Sequence, residues 1–180
     1  GTVGGSIALA DPAAEMPACV LALGATLVVE SINGRREIAA EDYFKGLYET
    51  AREANELLVE ILIPVEKSGD VSVFLELAQR HGDFAMAGLA CVARVSDKTF
   101  EELRLVYFGS EDKPTMGTRA IAAVVGQTWS ADCKEAAANA LVNDLDPMTN
   151  LQGSAAMKLH LQKVLTGRAL DAAIERAEAA

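Results

Sequence analysis

The chain has 180 residues, enough for one domain with a sizeable core or for two small ones. Hydrophobic residues make up 51% and charged residues 23%, a composition typical of globular proteins. The formal net charge of −10, without a basic stripe, argues against a nucleic-acid partner because phosphates would be repelled. No apolar run is long enough to cross a bilayer, so we expect a protein without a transmembrane segment, cytoplasmic or at the inner face of the membrane.

The chain opens on a glycine pair flanked by hydroxyl side chains, Thr2-Val3-Gly4-Gly5-Ser6. Adjacent glycines allow positive φ, so several backbone N–H groups can point at one phosphate oxygen. A plain tight turn is the more common role of such a pair. We therefore predict a turn here, with phosphate binding as its candidate function. Because the chain begins inside this motif without an initiator Met, we expect it to be N-terminally truncated.

A short helix is predicted directly after the glycine pair. Asp11 suits the N-cap and Pro12 the first helical position, while Pro17 limits the helix to about one or two turns. Glu15 then lies at a fixed place about ten residues after the glycines, where its carboxylate can accept hydrogen bonds from ligand hydroxyls or a ring nitrogen. From these residues alone, a solvated surface acid is the better interpretation of Glu15.

Hydrophobic periodicity predicts strands in the middle of the chain and helices after them. Strands are expected at 26–31, 35–39, 57–63, 72–78, 89–95 and 103–108, with an Asn33-Gly34 hairpin turn between the first two. Helices are expected at 118–125, 131–142, 154–165 and 169–177. A polar link at 66–70 is the expected domain boundary. Strands followed by helices indicate an α+β fold.

The cysteines and histidines form no recognisable metal or nucleophile pattern. Cys19, Cys91 and Cys133 lie far apart and have no CxxC spacing, so we expect each of them to be buried and to act as a small hydrophobic residue. His81 and His160 are equally isolated. We therefore assign no metal ligand and no catalytic residue to this chain.

The N-terminal motif resembles part of a known family. Thr2 to Ser6, followed by Ala10-Asp11-Pro12-Ala13-Ala14-Glu15-Met16-Pro17-Ala18, is similar to the second flavin motif of the FAD-binding medium subunit of molybdenum hydroxylases, the carbon monoxide dehydrogenase and xanthine dehydrogenase type enzymes. Further similar segments are 34–36, 42–44, 56–58, 63–64, 74–76, 80–85, 153–155 and 168–170. Because these segments span nearly the whole chain, the resemblance is specific.

The resemblance implies an architecture in two parts. Residues 1–66 would be the partial second subdomain of an α+β FAD-binding domain, and residues 67–180 a C-terminal domain with a three-stranded antiparallel sheet and a helical bundle. The family's first glycine-rich flavin loop, of the type Ala-Gly-Gly-x-Ser, is absent from these 180 residues. Roughly half of the pyrophosphate cradle is then missing, so we expect an incomplete FAD site in this chain.

The resemblance also assigns roles to single residues. Thr2 to Ser6 match the loop that contacts the pyrophosphate and ribityl groups of FAD, and Asp11 belongs to the same motif. Glu15 matches an acidic position that contacts the flavin. Leu57 or Leu58 matches an apolar residue that packs beside the isoalloxazine ring.

Several positions depart from the family pattern. Glu76 stands where many relatives carry Lys near the ring, and an acid there would disfavour the reduced anionic flavin. Arg80 and Asp83 would form a structural ion pair or line the acceptor side, and the ion pair is favoured. Asn150 and the pair Met157-Lys158 stand where relatives usually have Asp and Tyr-Arg, which suggests an altered contact with a partner subunit.

The resemblance implies the flavoprotein subunit of a multi-subunit enzyme. A substrate would be oxidised at a molybdenum cofactor on a large subunit, and electrons would pass through [2Fe-2S] clusters of a small subunit to FAD on this chain and then to an external acceptor. One alternative is an assembly or scaffolding module of such a complex without flavin. A weaker one is a stand-alone flavin oxidase or reductase, which needs a catalytic His, Cys or Tyr beside the flavin. The substrate and the acceptor are not encoded in any residue pattern of this chain.

Overall fold

The computed structural model describes residues 1–80 and 82–179. The N-terminal part contains α1 (Val3–Leu9), α2 (Glu15–Ala22), β1 (Thr26–Ser31), β2 (Gly34–Ala39), α3 (Ala40–Tyr43), β3 (Phe44–Gly46), β4 (Glu49–Thr50) and β5 (Leu57–Leu62). Strands β2, β1 and β5 form an antiparallel sheet in that order, and β3 pairs with β4. The predicted hairpin is confirmed: Ser31 pairs with Gly34, whose φ of 118° is readily adopted only by glycine.

The glycine pair does not form the predicted turn. Gly4 and Gly5 lie in α1, and neither has a positive φ. Thr2 is the N-cap of this helix, with extended backbone, and its Oγ1 accepts a hydrogen bond from Gly5 N at 3.0 Å. The hydroxyl cap satisfies an N–H group of the first turn, which favours a helix start over a glycine turn.

The prediction of a helix from Pro12 to Pro17 is also wrong. Asp11 Oδ1 accepts a hydrogen bond from Ala13 N at 2.9 Å, and Asp11 O accepts one from Ala14 N at 3.1 Å, so this segment is a closed turn. The helix α2 begins at Glu15 and contains Pro17 in its first turn. Proline is tolerated there because an N–H group at that position has no helical acceptor.

The C-terminal part begins with an antiparallel sheet in sequential strand order. Its strands are β6 (Asp70–Leu77), β7 (Ala87–Ser96), β8 (Thr99–Phe108) and β9 (Thr115–Met116). The three long strands were predicted. The fourth was not, because a strand of two residues carries no alternation of polar and apolar side chains.

Helices follow the sheet: α4 (Thr118–Ala122), α5 (Ala131–Ala140), a short 3₁₀ turn (Leu141–Asn143) and α6 (Ala155–Ala179). The two predicted C-terminal helices are one continuous helix that includes Gly167. A Cβ atom at Gly167 would lie 2.5 Å from Lys134 Cε, so the glycine allows α5 to approach. None of the helices in the described part of the chain is long and apolar enough to cross a bilayer.

Both faces of the β6–β9 sheet are covered. One face packs against the helices that follow it, where Leu165 and Leu170 are buried and the partly buried Leu159 and Leu161 pack against the same core. The other face packs against the N-terminal part through a cluster that includes the fully buried Phe108. The two parts of the chain therefore share a hydrophobic core.

Candidate cofactor site

The first turn of α1 presents unpaired backbone N–H groups. Gly5 N is capped by Thr2 Oγ1, whereas the amides of Val3 and Gly4 have no acceptor among the described residues. A Cβ atom built at Gly4 would meet nothing within 4 Å, so the surface is open at this point. The donors at an exposed helix start, next to a hydroxyl group, suit a phosphate group. The residues present therefore fit the pyrophosphate of FAD. They do so through the N–H groups of a helix start and not through the predicted glycine turn.

Gly5 is required by the cap. A Cβ atom at this position would lie 2.8 Å from Thr2 Oγ1, closer than such atoms normally approach. Ser6 N donates to Thr2 O at 3.0 Å, and Ile7 is fully buried, so the helix start is anchored to the N-terminal core. The backbone conformation of Thr2 to Ser6 is thus fixed by hydrogen bonds within this segment.

Asp11 follows one residue in left-handed backbone conformation and contacts a second one, which is distant in sequence. Ala10 and Tyr48 both have φ of 55°, which is uncommon for residues other than glycine. The exposed Tyr48 donates its hydroxyl to Asp11 Oδ2 at 3.3 Å, and the charge of Asp11 raises the pKa of Tyr48. Tyr48 was not predicted as a neighbour of Asp11, since no local pattern links it to a residue 37 positions earlier.

Glu15 lies at the start of α2, which packs against α1. Its carboxylate is half-buried and sits in the first turn, where a negative charge is favoured by the helix dipole. Burial, and to a lesser degree the charge of Glu15, raises the pKa of the nearby Cys19 thiol. The structure thus brings the elements that carry Glu15 and Thr2 to Ser6 into contact.

Leu57 and Leu58 begin strand β5, against which α1 also packs. Leu58 contacts the N-terminal core, whereas Leu57 is 70% exposed. Of the two leucines, Leu57 is therefore the one whose side chain is available to an apolar ligand surface.

Glu76 lies on the other sheet, in strand β6, opposite Gly88. It is exposed and shares a face of the strand with Phe74, whose ring stacks on Phe108 at 5.5 Å between centroids. Glu76 lines an open cleft of about 290 Å³ with Ala78, Arg80 and Gly82. This face of the sheet is the one that packs against the N-terminal part.

The expected ion pair between Arg80 and Asp83 is not formed. Asp83 N donates to Arg80 O at 3.1 Å in a backbone turn, and no ion pair joins the two side chains. His81, between them in sequence, lies outside the described residues. Arg80 instead borders the cleft with Glu76.

Two further expectations are corrected. Lys158 is fully buried, so it is not available to a partner subunit; Met157 beside it is exposed, and Asn150 forms a tight turn with Gly153. Of the three cysteines, only Cys91 is fully buried, and burial raises the pKa of its thiol to about 12. Cys19 and Cys133 are half-buried, because each lies on a helix side that is only partly covered.

The described residues contain no group of three or more His, Cys, Asp or Glu side chains placed to hold a metal ion. Comparison with known families then gives two matches that follow one another along the chain. The FAD binding domain in molybdopterin dehydrogenase matches residues 1–66, and the CO dehydrogenase flavoprotein C-terminal domain matches residues 72–173, more than half of the chain. The chain belongs to this flavoprotein family.

Individual relatives agree with this family. The carbon monoxide dehydrogenase medium chain of Hydrogenophaga pseudoflava is 33% identical over 98% of this chain and 61% of its own length. The glyceraldehyde dehydrogenase medium chain of Sulfolobus acidocaldarius is 33% identical over 94% of this chain and 60% of its own. The solved carbon monoxide dehydrogenase from Hydrogenophaga pseudoflava superimposes with a TM-score of 0.94 at 35% identity, covering 98% of this chain and 61% of the matched one.

These matches confirm the family resemblance, the mixed α and β fold with antiparallel sheets and FAD as the cofactor of the family, and the relatives that they name are medium chains of dehydrogenases. The chain spans about three fifths of the length of the relatives it matches.

Proposed function

We propose that this chain is part of the FAD-binding medium subunit of a multi-subunit molybdenum hydroxylase. In this role it receives electrons from [2Fe-2S] clusters on a small subunit and passes them through FAD to an external acceptor. The proposal is carried by the family match over residues 1–66, together with the open helix start at the position of the family's flavin motif. The large subunit would carry the molybdenum cofactor and determine the substrate.

The residues of the N-terminal part would hold FAD in complementary ways. The free amides of Val3 and Gly4 and the hydroxyl of Ser6 would donate to pyrophosphate oxygens, while Thr2 keeps the helix start in place. Glu15 would accept hydrogen bonds from the flavin, and Leu57 would cover apolar ring surface. When bound, FAD supplies the redox chemistry, and the side chains position and tune it.

Glu76 would tune the cofactor electrostatically. A carboxylate near the ring disfavours an additional negative charge, so it would lower the stability of the reduced anionic flavin compared with a lysine. Its exposed position beside Arg80 leaves it available to the cofactor or to the acceptor. The midpoint potential of a Glu76→Lys variant should accordingly be higher than that of the unaltered protein.

The site is proposed to be incomplete within these 180 residues. The family's other glycine-rich loop has no counterpart here, so tight FAD binding is expected to need that loop. By itself, a protein comprising residues 1–180 should be inactive as an oxidoreductase.

Co-purification tests the subunit role. Tagged full-length protein, isolated from its native host, should bring down one molybdenum-containing and one iron–sulfur subunit, because electron transfer within a complex needs the cofactors held close together, and an interface that persists typically buries about 1,600 Å². The N-terminal part, rather than the C-terminal helix, should face the small subunit. A yellow protein recovered alone that oxidises a substrate unaided would reject the subunit role, and a complex without flavin would favour a scaffolding role.

A further inference from the structure

A buried polar cluster joins the end of strand β8 to helix α6, outside the proposed ligand contacts. The side chain of Lys158 is fully buried, and its Nζ donates to Gly109 O at 3.2 Å. One turn further along α6, the fully buried Gln162 donates from Nε2 to Phe108 O at 3.1 Å and to Ser110 Oγ at 2.9 Å. Two side chains of α6 therefore fix three consecutive residues, 108–110.

A second buried charged residue, Glu111, acts on the Lys158 ammonium through its charge. Glu111 is 6% exposed, its Oε2 accepts from Asp146 N at 2.9 Å, and its Oε1 has no partner among the described residues. Burial lowers the pKa of Lys158 and raises the pKa of Glu111, while the charge of Glu111 acts in the opposite direction on Lys158. The charge of Glu111 thus offsets part of the cost of burying the Lys158 ammonium.

The segment held by α6 is hydrogen-bonded to the candidate cofactor site. Gly109 N donates to Pro12 O at 2.8 Å. Gly109 has φ of 78°, and a Cβ atom there would lie 2.6 Å from Ala85 O, so its two peptide groups are closely confined. Pro12 lies in the turn that connects Asp11 to Glu15. Lys158, Gly109 and Pro12 therefore form a continuous polar connection from α6 to this turn.

We propose that Lys158 is a positioning residue for the Asp11–Glu15 turn, acting through Gly109. A charge-assisted hydrogen bond to Gly109 O fixes the residue whose N–H group holds Pro12, so the orientation of the turn depends on a side chain in the C-terminal part. Its consequence for flavin binding rests on the proposed function. A residue that only filled the core would stabilise the protein without controlling the Pro12 contact.

The experiment compares Lys158→Met and Lys158→Arg in the full-length chain. The matched control is Thr166→Val, which removes the equally buried hydrogen bond between Thr166 and Tyr107 on the same helix. Hydrogen exchange of the Gly109 amide is measured without FAD, and the Kd for FAD is measured by flavin fluorescence. Lys158→Met should speed Gly109 exchange and weaken FAD binding by about tenfold or more, as expected for loss of a hydrogen bond to a charged group.

Lys158→Arg should restore both values, and Thr166→Val should lower the melting temperature without changing either. If Lys158→Met does not fold, Lys158→Met/Glu111→Gln removes both charges and takes its place. Unchanged Gly109 exchange overturns the proposal, as does faster exchange with unchanged FAD affinity in a protein that binds FAD. If the unaltered full-length protein binds no FAD, the proposed function fails, and the exchange data alone decide the role of Lys158.

Discussion

The two larger sheets of the described residues, β2-β1-β5 and β6-β7-β8-β9, are covered to very different extents. The N-terminal sheet ends in strand β5, where Leu57, Val59 and Leu62 are 70%, 44% and 41% exposed. In the C-terminal sheet, both faces of β7 and β8 pack against other elements, and most of their residues are buried. The sheet of the part that carries the cofactor motif thus leaves apolar surface open, while the C-terminal sheet is covered by the helices that follow it and by the N-terminal part. We infer that the first part is built to bind and the second to support it.

The largest effect should come from removing a core aromatic residue of the C-terminal part. Phe100 is fully buried against Trp129, so Phe100→Ala should lower the free energy of unfolding by about 3–5 kcal/mol. The matched exposed position is Leu57, where Leu57→Ala should change it by no more than about 0.5 kcal/mol. Urea unfolding monitored by circular dichroism measures the free energy of unfolding of both variants. An equal decrease in the two variants would contradict the proposed difference between the two parts of the chain.

At the helix start of the N-terminal part, a substitution should affect ligand binding more than folding. In the full-length protein, Gly5→Val displaces the Thr2 hydroxyl and should abolish flavin loading while the C-terminal core keeps the protein soluble. Thr2→Ser retains the capping hydroxyl and should load flavin normally. Yellow protein with normal flavin content from Gly5→Val would contradict this role, and insoluble protein would favour a purely structural glycine.

A smaller effect, confined to the N-terminal part, should appear at low pH. Arg36 hydrogen-bonds both carboxylate oxygens of Glu56, at 2.7 and 2.8 Å, and with the Glu53 amide lowers the pKa of Glu56 to about 2. A lowered pKa stabilises the fold above the ordinary value of 4.5, and this contribution disappears as the pH falls from 4.5 towards 2.

The melting temperature, followed from pH 6 to 2, should therefore fall less steeply in Glu56→Gln than in the unaltered protein. Identical profiles would show that the pair does not contribute. Glu102→Gln is the control in the C-terminal part, because Glu102 is exposed and Arg94 retains its second partner Asp70.

The fold was predictable where periodicity is long and local. The hairpin at Asn33-Gly34 and the three long strands of the second sheet follow from alternation and turn residues. The continuous helix α6 was not, because Gly167 weakens helix propensity locally while packing against Lys134 favours it. The tertiary contact with α5 thus explains why α6 is one continuous helix and not two.

The residues of the candidate site stay a prediction from the family resemblance, and the backbone geometry of its N-terminal segment was not predictable. The resemblance points to Thr2 to Ser6, yet Gly4-Gly5 alone do not distinguish a positive-φ turn from a helix start, which the Thr2 cap favours. Tyr48 and Lys158 were not assigned to the site because their contacts with Asp11 and Gly109 join residues 37 and 49 positions apart. Such contacts leave no periodic signal in the sequence.

The most direct test of the account is an FAD titration of the full-length protein and of residues 1–180, followed by the change in flavin fluorescence. We predict tight, stoichiometric binding by the full-length protein and weak or no binding by residues 1–180, because the latter contain only one of the family's two glycine-rich segments. No binding by the full-length protein would contradict the flavoprotein role. Equally tight binding by residues 1–180 would show that the helix start and its neighbours form a complete site.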